Sequence, residues 1–286
     1  TASDAGASRE RRHELPNLRT KRSASPCIER YDCATHFAVR AATTASAIAR
    51  ALTLDILRGR YAVGSRLPTI REIAATHGVT TATIQRVVSS LEARGLIVAR
   101  QGSGLRVNDP VESGDVSLLP LWLEAVSGEP ARAVVILGDF LEMRRALAAR
   151  LLLRHKSAIV ARAPELAAAA ARMAAAASEG VDALRQADMA FARALLRPTG
   201  NVIALSVLST LDRVLAALPA LAEAMYADPA ANAASMVEVM QALAAGRADA
   251  AEVVETALAE VDARTVERFG RALKRRARRA RAEDPR

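Results

Sequence analysis

From residue 44 onward, apolar residues recur at intervals of three and four, the period of a helix with one buried face. The main exception is short. Leu96-Ile-Val-Ala99 and Leu105-Arg-Val107 are β-prone runs with Gly102-Ser-Gly104 between them, which predicts a hairpin. Two helices joined by a tight turn precede it. Pro68 ends an extended segment, and Thr69 can cap a helix whose Ile70, Ile73 and Ala74 share a face. Gly78 supplies the left-handed residue that stops this helix. Thr80 can cap the next, which carries Ile84, Val87, Val88 and Leu91 and ends at Gly95. Ahead of the pair, residues 44–58 place Ile48, Leu52, Ile56 and Leu57 on one face. Helix, turn, helix and β-wing together predict a winged helix-turn-helix, in which the second helix enters the major groove of duplex DNA.

The remainder reads as helix nearly throughout. Helices are predicted over 116–127, 136–155, 160–178, 181–197, 201–217, 230–245 and 248–279, punctuated by Gly128, Pro130, Gly180, Pro198, Gly200, Pro219, Pro229 and Gly246. The run from Ala167 to Ala177 is nearly low-complexity, but Leu166 and Met173 lie seven apart on one face, so an ordinary packed helix accounts for it. The expected organisation is a flexible basic arm over 1–43, the winged domain over 44–108 and a linker over 109–117. An all-helical domain over 118–263 and a basic extension over 264–286 follow. The fold class is therefore mainly α: a winged helix-turn-helix with a short hairpin wing, then a helical-bundle effector domain.

Composition sharpens this. The 286 residues suffice for two domains with cores, and 51% apolar content with only 3% aromatics favours Ala- and Leu-rich helix packing over a β-sandwich. The net charge of +9 is unevenly spread. Residues 44–108 hold nine Arg against three acids, 109–263 thirteen bases against twenty acids, and 264–286 ten bases against three acids. The surplus sits on the reader and the tails, as a nucleic-acid binder would place it. Cys27 and Cys33, with His36 nearby, lack the spacing of a zinc site and are expected as reduced thiols. No apolar run approaches the roughly 20 residues of a membrane span, and the polar first residues lack the core of a signal peptide. A cytoplasmic protein is expected.

The winged segment resembles the DNA-binding domain of the GntR family of bacterial transcription regulators. The resemblance rests on Leu67-Pro-Thr-Ile-Arg-Glu-Ile-Ala74, Gly78-Val-Thr80, Thr83-Ile-Gln-Arg86, Leu91-Glu-Ala-Arg-Gly-Leu-Ile97 and Arg100-Gln-Gly-Ser-Gly104, in that order. It implies DNA contacts from Arg71, Thr80, Thr81, Thr83, Gln85 and Arg86, and from Arg100, Gln101 and Gly102 in the wing. Hydroxyls, an amide and guanidinium groups are the chemistry that bonds base edges and phosphates. Family members commonly carry an Arg where this chain has Thr81, and another where it has Gln85, so a different operator is expected.

The second half resembles the FCD effector domain of the FadR-like branch, through Asp139-Phe-Leu-Glu-Met-Arg-Arg-Ala-Leu147, Asp188-Met-Ala-Phe-Ala-Arg-Ala-Leu195, Gly200-Asn201 and Met240-Gln-Ala-Leu-Ala-Ala-Gly-Arg-Ala-Asp-Ala-Ala251. Many such domains hold a metal with an Asp, a His four residues later and two further His. Here the residue four after Asp188 is Ala192, the next ligand position is Met236, and no His follows His155. An Asp and a His spaced i, i+4 face one way and can grip an ion, whereas Asp and Ala cannot. No metal or other cofactor is expected. Arg144, Asp188 and Arg193 are the candidate ligand-binding residues, a guanidinium being able to take over a carboxylate's anchor.

No Ser/His/Asp, paired-carboxylate or Cys/His arrangement suggests catalysis, and Gly102-Ser-Gly104 opens no helix that would cradle phosphate. The expected protein is not an enzyme. It is a homodimeric regulator that reads a near-palindromic operator in double-stranded DNA. Its helical domain dimerises and senses a small metabolite, a carboxylate among the candidates, without a metal. The alternative is the same DNA-binding dimer with a ligand-free helical domain that serves dimerisation alone.

Overall fold

A computed structural model describes residues 44–100 and 104–283. The expectations for the arm over 1–43, with Cys27, Cys33 and His36, and for Gln101 and Gly102 lie outside those residues.

The winged part opens with α1 (44–57), followed by α2 (Ile70–His77) and α3 (Thr81–Ala93). The antiparallel pair β1 (Ile97–Arg100) and β2 (Gly104–Val107) follows, in the register Ile97↔Val107 to Arg100↔Gly104. A third stretch joins this sheet without having been foreseen. Arg66 forms a bridge with Arg106, Leu67 N donates to Leu105 O at 2.9 Å, and Val107 N donates to Ser65 O at 3.0 Å. The segment before α2 is thereby tied to the wing. Ile48, Leu52, Ile73, Ile84, Val87, Leu91, Leu96 and Val107 make one buried cluster, as the helical and alternating patterns required.

The helical part comprises α4 (Pro110–Ser113), α5 (Leu119–Ala125), α6 (Pro130–Arg154), α7 (Lys156–Val160), α8 (Ala163–Ala176) and α9 (Val181–Leu196). After these come α10 (Val202–Ala217), α11 (Pro219–Met225), α12 (Pro229–Ala244) and α13 (Ala250–Glu283). Three prolines read as breaks instead open helices. Pro130, Pro219 and Pro229 begin α6, α11 and α12, where the missing N–H has no intrahelical partner to lose. The helix expected over 136–155 therefore starts at Pro130, and α11 went unforeseen. The helix expected over 160–178 is α8, and the short α7 ahead of it went unforeseen. α6 and α13 run antiparallel: Asp262 meets Arg144 and Arg145, while Gly270 abuts Val134.

The segment expected as a plain linker is structured. Asp109 caps α4, Asp115 caps a 3-10 turn at Val116–Leu118, and Leu118 is buried in the winged cluster. α5 then serves two cores. Its Leu121, Trp122 and Ala125 pack on the winged cluster, while Leu119 and Leu123 are buried in the helical one. Arg50 of α1 reaches across to Glu124, donating from Nη2 at 2.5 and 2.6 Å. Among the described residues no single helix is long and apolar enough to cross a membrane; α10 and α11 are strongly apolar only as a pair bent by 112°.

Candidate nucleic-acid interface and interior cavity

Caps fix the angle at which α3 is presented. Thr69 Oγ1 accepts from Glu72 N at 3.3 Å while the Glu72 carboxylate accepts from Thr69 N at 2.7 Å, a capping box. The bond from the Thr69 backbone, reinforced by its side chain, holds the Glu72 carboxyl below its usual range. Gly78 closes α2 at φ 61°, the left-handed conformation that favours glycine. Thr80 Oγ1 then accepts from Thr83 N at 3.3 Å and starts α3.

With Ile84, Val87, Val88 and Leu91 committed to the core, the opposite side of α3 is left to Thr81, Gln85 and Arg86, all exposed. Arg71 on α2, Thr80 at the cap and Arg100 at the end of β1 are exposed as well. Thr83 is a correction. Expected on the open face, it is only 5% exposed, and its hydroxyl lies 3.1 Å from Thr80 Oγ1. It precedes Ile84 and lies four residues before Val87, on the edge of the inner stripe, so its hydroxyl serves the cap rather than a groove.

The helical part encloses a cavity of about 160 Å³. Its wall is mostly apolar, with Leu147, Leu184, Met189, Leu208 and Val239 among the lining residues. The polar groups are few: Arg144 from α6, Asp188 from α9, Tyr226 at the end of α11, and Asn232 and Ser235 from α12. Two of these are spoken for locally, since Asn232 Nδ2 donates to Met225 O at 2.8 Å and Ser235 Oγ to Ala231 O at 3.1 Å. The Tyr226 hydroxyl donates to Asp188 Oδ2 at 2.8 Å. Burial lifts the Asp188 carboxyl above the usual range, against the opposing effects of the Tyr226 bond and the Arg144 charge. Burial also raises the Tyr226 hydroxyl, and the Asp188 charge raises it further.

Arg144 is held from the far side. Its Nη2 donates to Asp262 Oδ1 at 2.6 Å, and Arg145 Nη1 reaches Asp262 Oδ2 at 3.3 Å. The Asp262 side chain is 5% exposed, and burial raises its carboxyl although both guanidinium groups oppose the shift. Arg144 Nε, by contrast, is buried with no hydrogen-bond partner among the described residues.

Of the three candidate ligand residues, Arg144 and Asp188 line this cavity and Arg193 does not. That side chain does not line the cavity, and its Nη2 donates to Asp212 Oδ2 at 2.7 Å, beside the Arg185–Asp212 ion pair. Five residues from Asp188 is about 140° around the helix, which turns Arg193 away from the Asp188 face. Tyr226 and Asp262 were missed. Asp262 could have been noticed as the one carboxylate on the stripe Val254, Leu258, Val261, Thr265 and Phe269, which is the buried face of α13. Three of the four positions where the resemblance looks for metal ligands do converge, for Asp188, Ala192 and Met236 all line the cavity. A methyl and a thioether there leave one carboxylate. Among the described residues no group of three His, Cys, Asp or Glu could hold an ion.

Comparison with known proteins agrees with this architecture. Residues 44–107 match the model for bacterial regulatory proteins of the gntR family, and residues 139–260 match that for the FCD domain. The HTH-type transcriptional regulator Rv0792c of Mycobacterium tuberculosis is 40% identical over 65 residues, 23% of this chain and 24% of that protein. The Uxu operon regulator of Haemophilus influenzae is 36% identical over 70 residues, 24% of this chain and 26% of that protein. The chain thus spans about a quarter of the length of these curated relatives, both named as regulators. Among solved structures, Lar, which controls the expression of the Listeria monocytogenes agr system, aligns over 77% of this chain and 95% of its own at 15% identity and a TM-score of 0.46. Escherichia coli McbR/YncC aligns over 79% and 96% at 16% identity and a TM-score of 0.35. Those scores add nothing to the domain matches: the chain joins a DNA-binding domain of the gntR family of bacterial regulatory proteins, over residues 44–107, to an FCD domain over residues 139–260.

Proposed function

We propose that this chain is a sequence-specific, DNA-binding transcription regulator that works as a homodimer in the cytoplasm, and that its FCD domain senses a small monocarboxylate without a metal. The observation that carries the DNA half is the open side of α3, where Thr81, Gln85 and Arg86 stand exposed while the other side is sealed into the core. A Gln amide can bond an adenine edge bidentately, and Arg86, Arg71 and Arg100 supply phosphate or guanine contacts. Two copies related by a two-fold axis would read the halves of a near-palindromic operator. A genome-wide map of bound sites tests this. A shared inverted repeat under the peaks is the expected result, and binding without any common sequence would overturn it.

The effector half rests on Arg144. Its buried Nε lacks an acceptor among the described residues, next to a cavity whose wall is mostly apolar. Buried donors without partners are uncommon and are satisfied by an acceptor when one is offered. Charge selects the class. Arg144 and Arg145 face Asp262 with one positive charge in excess, and burial works against a further negative charge on Asp188. One carboxylate neutralises that charge; a second would not find a partner. A cavity near 160 Å³ suits an apolar body about the size of a benzene ring. Thermal melting against a panel of mono- and dicarboxylates of graded length is the test, since a ligand that prefers the folded state raises the midpoint. A rise with short apolar monocarboxylates that Arg144→Met abolishes is expected. No rise with any of them leaves the FCD domain a dimerisation module.

A further inference from the structure

The last turns of α13 are not used by the fold. Among the described residues Phe269 and Leu273 are its final buried hydrophobic residues, and beyond them Lys274, Arg275, Arg276, Arg278 and Arg279 are all exposed. Between Arg268 and Ala282 there is no acidic residue. Among the described residues none of these five cations takes part in an ion pair, although Arg271, one turn earlier, still meets Glu267. Five unneutralised cations within six residues repel one another at i, i+3 and i, i+4 spacings, which offsets what they gain from the helix dipole.

Their position follows from the packing of α13 on α6. Asp262 meets Arg144 and Arg145, and eight residues later Gly270 touches Val134 so closely that a Cβ would come within 2.9 Å of Val134 Cγ2. As α13 advances it therefore travels toward the N-terminus of α6. At that end Arg132 lies over the Trp122 ring at 6.0 Å, and Trp122 packs on the winged cluster. Residues 274–283 continue for about 15 Å in the same direction. The basic ridge thus lies at the end of the bundle that carries the DNA reader, not at the opposite end.

We infer that this ridge is a second, sequence-independent DNA contact, which grips the phosphate backbone of duplex flanking the site read by α3. The partner is chosen by charge complementarity and by proximity to the reader; an exposed row of guanidinium groups and a lysine suits phosphate contacts, which carry no sequence information. The inference rests on α3 being a DNA reader, and the experiment separates the two. The full chain and a variant with Lys274, Arg275, Arg276, Arg278 and Arg279 all replaced by Gln are titrated with a random 40-base-pair duplex at several salt concentrations. Circular dichroism checks that the helix content is kept. Each lost phosphate contact removes about 0.9 from the slope of log affinity against log salt, so the Gln variant should be shallower by about 2 or more and bind about 10-fold more weakly at 100 mM salt. A second variant with Lys at the four Arg positions should keep the wild-type slope. A Gln variant that keeps the slope, while Arg86→Ala weakens binding, overturns the ridge and spares the reader. A wild-type chain indifferent to duplex overturns both. Wild-type binding to vesicles rich in anionic lipid that exceeds its binding to duplex, and that is lost in the Gln variant, overturns the ridge in favour of a membrane.

Discussion

Tyr226 donates its hydroxyl hydrogen to Asp188 Oδ2 across 2.8 Å, joining the end of α11 to α9 on the wall of an otherwise apolar cavity. The acid is thereby given one donor where a hydrated carboxylate would have several. Asp188 is the residue that the family resemblance associates with metal, and here it is tied to a phenol instead.

A pH-dependent consequence can be worked out. Burial is the largest influence on Asp188 and raises its carboxyl above the ordinary 3.8. A carboxyl raised in the folded state contributes stability below its unfolded value and loses it as the pH climbs through the folded value. Asp188→Asn removes that titration and keeps an acceptor for Tyr226. Relative to wild type, the variant's melting temperature should rise between about pH 4 and about pH 7.5. Thermal melts at the two pH values decide it, and a variant that falls further behind as pH rises would contradict the burial argument.

Asp262 is held by Arg144 and Arg145 in a site that is almost closed to water. Removing one side of a buried ion pair leaves the other uncompensated, at about 3–5 kcal/mol. Asp262→Ala should lose stability on that scale in urea denaturation, and adding Arg144→Met should restore part of it. A single variant within about 0.5 kcal/mol of wild type, the range of ordinary surface changes, would mean that the pair is not formed.

On the reader, Gln85 and Arg100 should separate specificity from affinity. Gln85→Ala removes an amide that can bond a base edge, about 1–3 kcal/mol at one position, and so should relax preference there in a selection from randomised duplexes. Arg100→Ala should weaken binding to all sequences alike. The converse pattern would exchange the two roles.

Gly95 is a sterically exacting position. It holds φ 72°, and a Cβ would fall 2.0 Å from Ser113 O and 2.8 Å from its carbonyl carbon, both backbone atoms. Gly59 has a similar φ of 75° with nothing within 4 Å. Alanine at a positive φ costs about 1 kcal/mol or more in either place. Gly95→Ala should exceed Gly59→Ala by a clear margin in chemical denaturation, because α4 must also move. Equal losses would mean that α4 does not press on this turn.

Much of this was legible in the sequence because it is local. Thr69, Gly78, Thr80 and Gly95 announce caps and stops at short range, and the apolar stripe of α3 follows from spacing alone. Proline was ambiguous: Pro130 and Pro229 look like interruptions, yet they begin α6 and α12, and only the packing that follows distinguishes the two. Thr83 was misplaced because a hydroxyl at the edge of a stripe suits a groove and a cap equally well. Asp262 and Tyr226 escaped notice because their partners lie 118 and 38 residues away. Arg193 was chosen because it follows Ala192, where the resemblance looks for a His, and the helical turn carried it off to Asp212.

α5 is only seven residues long, and its two sides are spent on different hydrophobic clusters. Neither cluster can therefore melt and leave the other intact, since whichever goes first strips α5 from its neighbour. Heating should yield one calorimetric peak rather than two.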